Sequence, residues 1–249
     1  MDNSKAISYR EKIPKINNFD IRQLRNMPKY FGWVSYSVNK NDKIFLFLGG
    51  HDDGVALRCF WNNHYEKKTL EIWSLLSNVE GIILDIGAHT GIYSLIANKF
   101  LKKGAVLSFE PHFLNFSRLN LNLRANEFST STIFMNAVGE KNELLPFSVS
   151  KNLDMLTSGG RIGKVTNQIS KPIQTIAIDT FLDDVGKNNV KLIKIDVEGY
   201  EYKCFLGMTK TLTVSRPIIF FECVTKNYNS EIYLFLKNHG YKIFIVDDI

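Results

Sequence analysis

Short apolar runs alternate with helical apolar spacings over most of this 249-residue chain. The run Ile82-Ile83-Leu84 ends in Asp85 and a turn bounded by Gly87 and Gly91, after which Ile92, Leu95, Ile96 and Phe100 recur along one helix face. The pattern repeats, with a run from Ala105 to Glu110, a helix face of Phe113, Phe116, Leu119 and Leu123, and a run from Thr132 to Met135. Apolar runs alternating with helices predict an α/β fold with a doubly wound, mostly parallel sheet. Residues 143 to 172 interrupt the rhythm: Leu144 to Val149 fits an extra strand, and Met155 to Lys171 reads as a loop. Alternation then resumes. Val190 to Ile195 reads as a buried strand, Gly199 to Leu206 as a helix, Pro217 to Phe221 as a strand, Tyr228 to Leu236 as a helix, and Tyr241 to Val246 as a last strand.

The first 64 residues have a different texture. Residues 1 to 30 are polar with few periodic apolar positions, which predicts a partly ordered arm. Lys43 to Leu48 before Gly49-Gly50 reads as a strand and turn of a small cap, and residues 51 to 64, mixed polar and aromatic, as a loop facing substrate. A helix is expected from Tyr65-Glu66, with Leu70, Trp73, Leu76 and Ser77 turned inward. The expected division is therefore an arm and cap over 1–64 and a main domain over 65–249.

Charge narrows the choice of partners. The net charge is +6, but residues 1 to 43 hold nine Lys/Arg against four acids, so +5 belongs to the arm and +1 to all the rest. A main domain so nearly neutral is not a broad nucleic-acid surface. No apolar run approaches the ~20 residues of a membrane span, and the N-terminus lacks an apolar signal core, so a cytoplasmic protein without a membrane span is expected. Three unpaired cysteines, Cys59, Cys204 and Cys223, suggest neither a disulfide framework nor a zinc site.

In parallel sheets ligands bind beyond the carboxyl ends of the strands. Asp85, Glu110, Asn136, Asp196 with Glu198, and Glu222 stand there in turn. Asp85 would repel a pyrophosphate and attract an ammonium or hydroxyl, so the turn favours a ligand with such groups over a dinucleotide. S-adenosylmethionine has both, although the turn alone leaves the ligand open. Glu110 follows Asp85 by 25 residues, near the roughly 20-residue offset at which an acid takes ribose hydroxyls. Asn136 suits an adenine edge or a plain turn equally.

Four segments, taken together, resemble the FkbM family of S-adenosylmethionine-dependent methyltransferases. They are Leu84-Asp85-Ile86-Gly87-Ala88-His89-Thr90-Gly91, Ser108-Phe109-Glu110-Pro111, Asn136-Ala137-Val138-Gly139, and Leu192-Ile193-Lys194-Ile195-Asp196-Val197-Glu198-Gly199-Tyr200-Glu201. The resemblance implies the class I, Rossmann-like methyltransferase fold. Asp85 and the turn Gly87-Ala88-His89 with Gly91 would surround the amino acid part of the cofactor, and Glu110 its ribose. It also implies O-methylation, often of sugars, polysaccharides or natural products. His89 departs from the family's usual Asn; both residue types are enriched at positive φ, so a neutral, structural histidine is expected. The chain also ends just after the expected sixth strand, where this fold class usually adds a seventh, and an open edge there would favour a homodimer.

A hydroxyl acceptor needs a base or a metal. Asp196, Glu198 and Glu222 are the candidate catalytic groups, with His51 and His64 as outsiders. The same carboxylates would suit a divalent cation, a question the sequence leaves undecided. Arg161, Lys164 and Lys171 in the long loop read as a solvated surface or, alternatively, as contacts for an acidic small-molecule or glycan acceptor. The alternative from a different class is a binding or scaffold protein that keeps the fold without turnover.

Overall fold

The computed structural model describes residues 2–128, 131–151, 156, 159–222 and 230–248. Its centre is a five-stranded, all-parallel sheet in the order β11-β10-β3-β4-β5. These strands are β3 (Glu80–Ile86), β4 (Lys103–Phe109), β5 (Ser131–Phe134), β10 (Val190–Ile195) and β11 (Ile218–Phe221). Their side chains alternate between faces with period two. Ile83, Val106 and Leu192 enter one buried cluster, while Leu84, Ile86, Leu107, Phe109, Ile193 and Ile195 enter another. Helices cover both clusters, as a doubly wound α/β fold requires.

On the first face lie α3 (Gly54–Trp61), α4 (Lys67–Leu76), α5 (Ile92–Phe100) and α6 (Phe113–Ala125), which contribute Trp61, Trp73, Leu95 and Leu119. The second face is covered by α7 (Ile178–Asp184), α8 (Glu201–Leu206), α9 (Thr209–Val214) and α10 (Glu231–Asn238). Gly104, expected as a helix stop, sits inside β4 opposite Gly81. At φ +132° its Cβ would strike the Gly81 carbonyl, so its bareness serves strand approach rather than helix ending.

The N-terminal segment is more ordered than its composition suggested. It holds α1 (Ser4–Lys12), α2 (Ile21–Arg25) and an antiparallel hairpin of β1 (Tyr30–Ser37) with β2 (Lys43–Gly50). Ala6, Leu24, Ile44, Leu46 and Leu48 are fully buried in the same cluster as Ile83 and Leu95. Asparagine amides do much of the fastening, because one side-chain amide can bond both the N–H and the C=O of a distant residue. Asn3 does this with Phe31, Asn62 with Phe19, and Asn126 with Phe45. Residues 54–61, expected as loop, form α3 because Asp53 accepts the amides of Val55 and Ala56 and caps it.

The interruption at 143–172 is a second sheet, ordered β6-β9-β7-β8, of β6 (Ala137–Val138), β7 (Glu143–Val149), β8 (Arg161–Ile162) and β9 (Ile169–Ile176). Met155 lies outside the described residues, as do Cys223 and Tyr228, where a helix is expected to begin; the described helix is α10, capped by Ser230. The last expected strand is absent: 241–248 is neither helix nor strand. Tyr241 and Ile243 pack on the second cluster while Phe244 and Ile245 are exposed. The segment then reaches α4, where Asp248 accepts the amides of Lys68 and Thr69. A fastening at its far end replaces pairing with the sheet.

Candidate active site

The glycine turn between β3 and α5 forms one wall of a cavity of about 720 Å³. Gly87 has φ +78°, and a Cβ there would run into the Asp196 carbonyl, so the turn and the end of β10 touch backbone to backbone. His89 follows at φ +51°, the left-handed conformation expected for it. Its imidazole is held below its usual pKa by burial, which keeps it neutral, and its Nε2 has no partner among the described residues.

Glu110 leaves the end of β4 and accepts the amides of His89 at 2.8 Å and His112 at 2.9 Å, with the Asn115 side chain at 3.3 Å. Burial nevertheless raises its pKa to about 7, against the pull of those amides. A carboxylate offers about four lone-pair positions, so one remains for a ligand hydroxyl. Asn136, after β5, also lines the cavity and donates to the Gln174 carbonyl at 3.3 Å.

Asp85 is placed differently from the other candidates. It is fully buried behind the turn, accepts from Ser94 Oγ at 2.5 Å, and does not reach the cavity wall. Its counter-charge is a residue that sequence reasoning passed over. Lys194 faces Asp85 across the β10–β3 pairing and is 6% exposed. Its Nζ lies 2.9 Å from the Gly87 carbonyl, 3.2 Å from Asp196 Oδ2, 4.0 Å from Asp85 Oδ1, and 5.1 Å from the Tyr93 ring centroid. Burial pulls the ammonium's pKa down, but Asp196 and Asp85 outweigh it and leave it raised. The available signal was a lysine inside the apolar run Leu192-Ile193-Lys194-Ile195.

Beyond β10, Asp196, Glu198 and Glu222 all line the cavity. The Lys194 ammonium holds Asp196 below the usual carboxylate range. Burial, and then the charge of Asp196, lift Glu222 to about 7. Glu198 is raised by burial and by Asp196; it adopts φ +56° and has Arg161 3.8 Å away. Glu201 accepts the amides of Val197 and Gly199 and so holds this loop in shape. Among the described residues no group of three or more His, Cys, Asp or Glu is arranged to hold a metal ion.

The N-terminal region completes the enclosure with Phe19, Arg25, Arg58, His64 and Tyr65, joined by Glu66 at the start of α4 and Asp248 at the far end of the chain. Of the two outsider histidines, His64 lines the cavity and contacts Asn17 O and Asn18 Oδ1. His51 does not line it and contacts the Met27 carbonyl. Lys164 and Lys171 are exposed and away from it; Arg161, beside Glu198, is the one residue of that trio near the site.

Residues 85–243 match the Methyltransferase FkbM domain, well over half of the chain and containing every strand of the main sheet except most of β3. The chain belongs to the FkbM methyltransferase family. It is 27% identical over 167 residues to the 2-O-methyltransferase NoeI of Sinorhizobium fredii, a match covering 59% of this chain and 65% of that relative. Among solved structures it is similar to an FkbM methyltransferase from Methylobacillus flagellatus KT, with a TM-score of 0.43 and 17% identity, covering 75% of this chain and 47% of that one. It is also similar to a precorrin-6y C5,15-methyltransferase from Geobacter metallireducens GS-15, with a TM-score of 0.44 and 15% identity, covering 71% and 72%. The turn, Glu110 and the Asp196 loop lie within the matched region. No helix of the described residues is long and apolar enough to cross a membrane.

Proposed function

We propose that this chain transfers a methyl group from S-adenosylmethionine to a hydroxyl of a sugar, glycan or related small molecule. One observation carries the reading: a carboxylate pair, Asp196 and Glu222, faces the same cavity as the glycine turn and Glu110, and one of the pair titrates near neutrality. The likeness to a relative described as a 2-O-methyltransferase supports a hydroxyl acceptor.

The residues fit the cofactor. Gly87 and Gly91 line the cavity at the start of α5, the unpartnered His89 Nε2 offers a polar contact, and Glu110 keeps one acceptor position for a ribose hydroxyl. When bound, S-adenosylmethionine supplies an electrophilic methyl on a sulfonium. The chain's part is to align the acceptor and remove its proton. Glu222 is the better base of the pair, since a base works best with a pKa near the operating pH, whereas Asp196 is pulled well below it by Lys194. Glu198 lines the same cavity, with Arg161 3.8 Å away.

Glu110 gives a binding prediction. Only its ionised form presents acceptors alone, and in the free protein it ionises at about 7. Affinity for S-adenosylhomocysteine is therefore expected to be level above that pH and to weaken by up to about tenfold per unit below it, a slope that Glu110→Gln removes while lowering affinity throughout. Isothermal titration at several pH values checks this; an unchanged slope in the variant would remove Glu110 from the ribose site.

The activity is tested by transfer of labelled methyl from S-adenosylmethionine into a fractionated extract, with mass analysis of the product. A labelled ether on a hydroxyl is expected. Tight binding of the cofactor with no labelled product in any fraction would favour a binding or scaffold protein instead.

A further inference from the structure

The two ends of the cavity differ in how their charges are satisfied. At the sheet end, Lys194 is shared between two carboxylates. At the N-terminal end, two guanidiniums line the wall without an acidic partner among the described residues. Arg58, on α3, is half-buried and donates a single bond, from Nη1 to the Gly54 carbonyl at 3.1 Å, out of its five N–H groups. The side chain of Arg25, at the end of α2, lines the cavity with no hydrogen bond or ion pair to any described residue.

The acids nearby do not account for them. Glu66 is engaged by the Tyr93 hydroxyl, and Asp248 by the amides of α4. Asp53 caps α3 through Oδ1, leaving Oδ2 unpartnered, but forms no ion pair with either arginine. For the half-buried Arg58 this is unusual, because a cation taken out of water is ordinarily paired, while the exposed Arg25 adds a second, solvated charge at the same wall. Two forks with open donors match the planar or tetrahedral oxygens of a carboxylate or phosphate. Phe19, Ile21 and Val55 line the same end, and Ile21 Cδ1 and Arg58 Nη1 sit together over the bare Cα of Gly54. That surface combines an apolar face for a ring with a charged rim.

We infer that the acceptor carries an anionic group, a carboxylate or a phosphate, which Arg58 and Arg25 receive at the N-terminal end while its reacting hydroxyl lies toward Asp196 and Glu222. The inference rests on the proposed methyl transfer for the direction of the acceptor, but not for the anion site itself. It also moves acidic recognition from the 155–171 loop to α2 and α3.

Glucuronate, glucose 6-phosphate and glucose serve as probes, each titrated calorimetrically into the full chain with and without saturating S-adenosylhomocysteine. At least one of the two anionic sugars is expected to bind at millimolar concentration or better, and about tenfold or more tighter than glucose. Arg58→Gln and Arg25→Gln should each remove most of that difference and leave S-adenosylhomocysteine affinity within about twofold. Arg25 is exposed, so its variant reports on the anion even if Arg58→Gln lowers stability; Arg58→Lys should restore part of the phosphate binding but less of the carboxylate binding. Glucose binding as well as both anions, anion binding that survives both substitutions, or no binding of either anion would overturn the inference. Failure of S-adenosylhomocysteine to bind, with anion binding intact and arginine-dependent, would instead overturn the methyltransferase reading and leave the anion site standing.

Discussion

Lys194→Met is expected to destabilise the protein by about 3–5 kcal/mol, the usual cost of breaking a buried ion pair by deleting one partner. The lysine side chain is 8% exposed and the Asp85 side chain 0%, so neither charge has water to fall back on. Without the ammonium, Asp85 is left with Ser94, and the Gly87 carbonyl loses its donor. The loss should also depend on pH. Burial already raises the Asp85 pKa, with Lys194 and Ser94 opposing it. Removing Lys194 lifts the folded-state value further above the unfolded one. A raised carboxyl costs stability as pH climbs from the unfolded toward the folded pKa, so the variant should lose more near pH 8 than near pH 5. Denaturant unfolding at both values checks this, and Asp85→Asn added to Lys194→Met should recover part of the loss. A cost under about 1 kcal/mol at both values would mean the cluster does not hold the turn.

Glu222→Gln is expected to lower kcat by about 10²–10⁴, the usual range for a general base. In the wild type the rate should rise with pH and level off near 7, where Glu222 becomes ionised and able to accept the acceptor's proton. The variant's residual rate should lose that rise. Asp196→Asn separates the two carboxylates: after burial, the Asp196 charge is what holds the Glu222 pKa up, so the rise should move to lower pH with part of the rate retained. If Asp196→Asn abolishes turnover while Glu222→Gln keeps the wild-type pH profile, the base is Asp196.

The sheet and its strand-end acids were legible because parallel strands buried on both faces are short apolar runs, and the residue that ends each run falls at the ligand edge. That logic found Glu110, Asn136, Asp196, Glu198 and Glu222, all in the cavity wall. It placed Asp85 at the same edge, but whether a strand-end side chain faces the ligand or the core depends on the partner across the strand. Here Lys194 and Ser94 draw it inward. The arm was harder to read. α1 buries only Ala6 and α2 only Leu24, so neither shows an apolar face, and side-chain amides and Arg10 bonds to Phe60, Pro14 and Lys15 hold the segment down. The last strand was a false reading because Ile243-Phe244-Ile245-Val246 is a short apolar run of strand-forming residues, yet a strand also needs an edge to pair with, and composition does not name one.

By itself, the sequence determined the alternating α/β order, the glycine turn and the family, because these depend on local spacing and on short contiguous motifs. Only the tertiary structure decided which charges meet. Lys194 joins Asp85 to Asp196, Asp196 raises Glu222, and Arg25 and Arg58 come to one end of the same cavity from helices far upstream. Electrostatic coupling falls with distance in space, and distance along a chain says little about it.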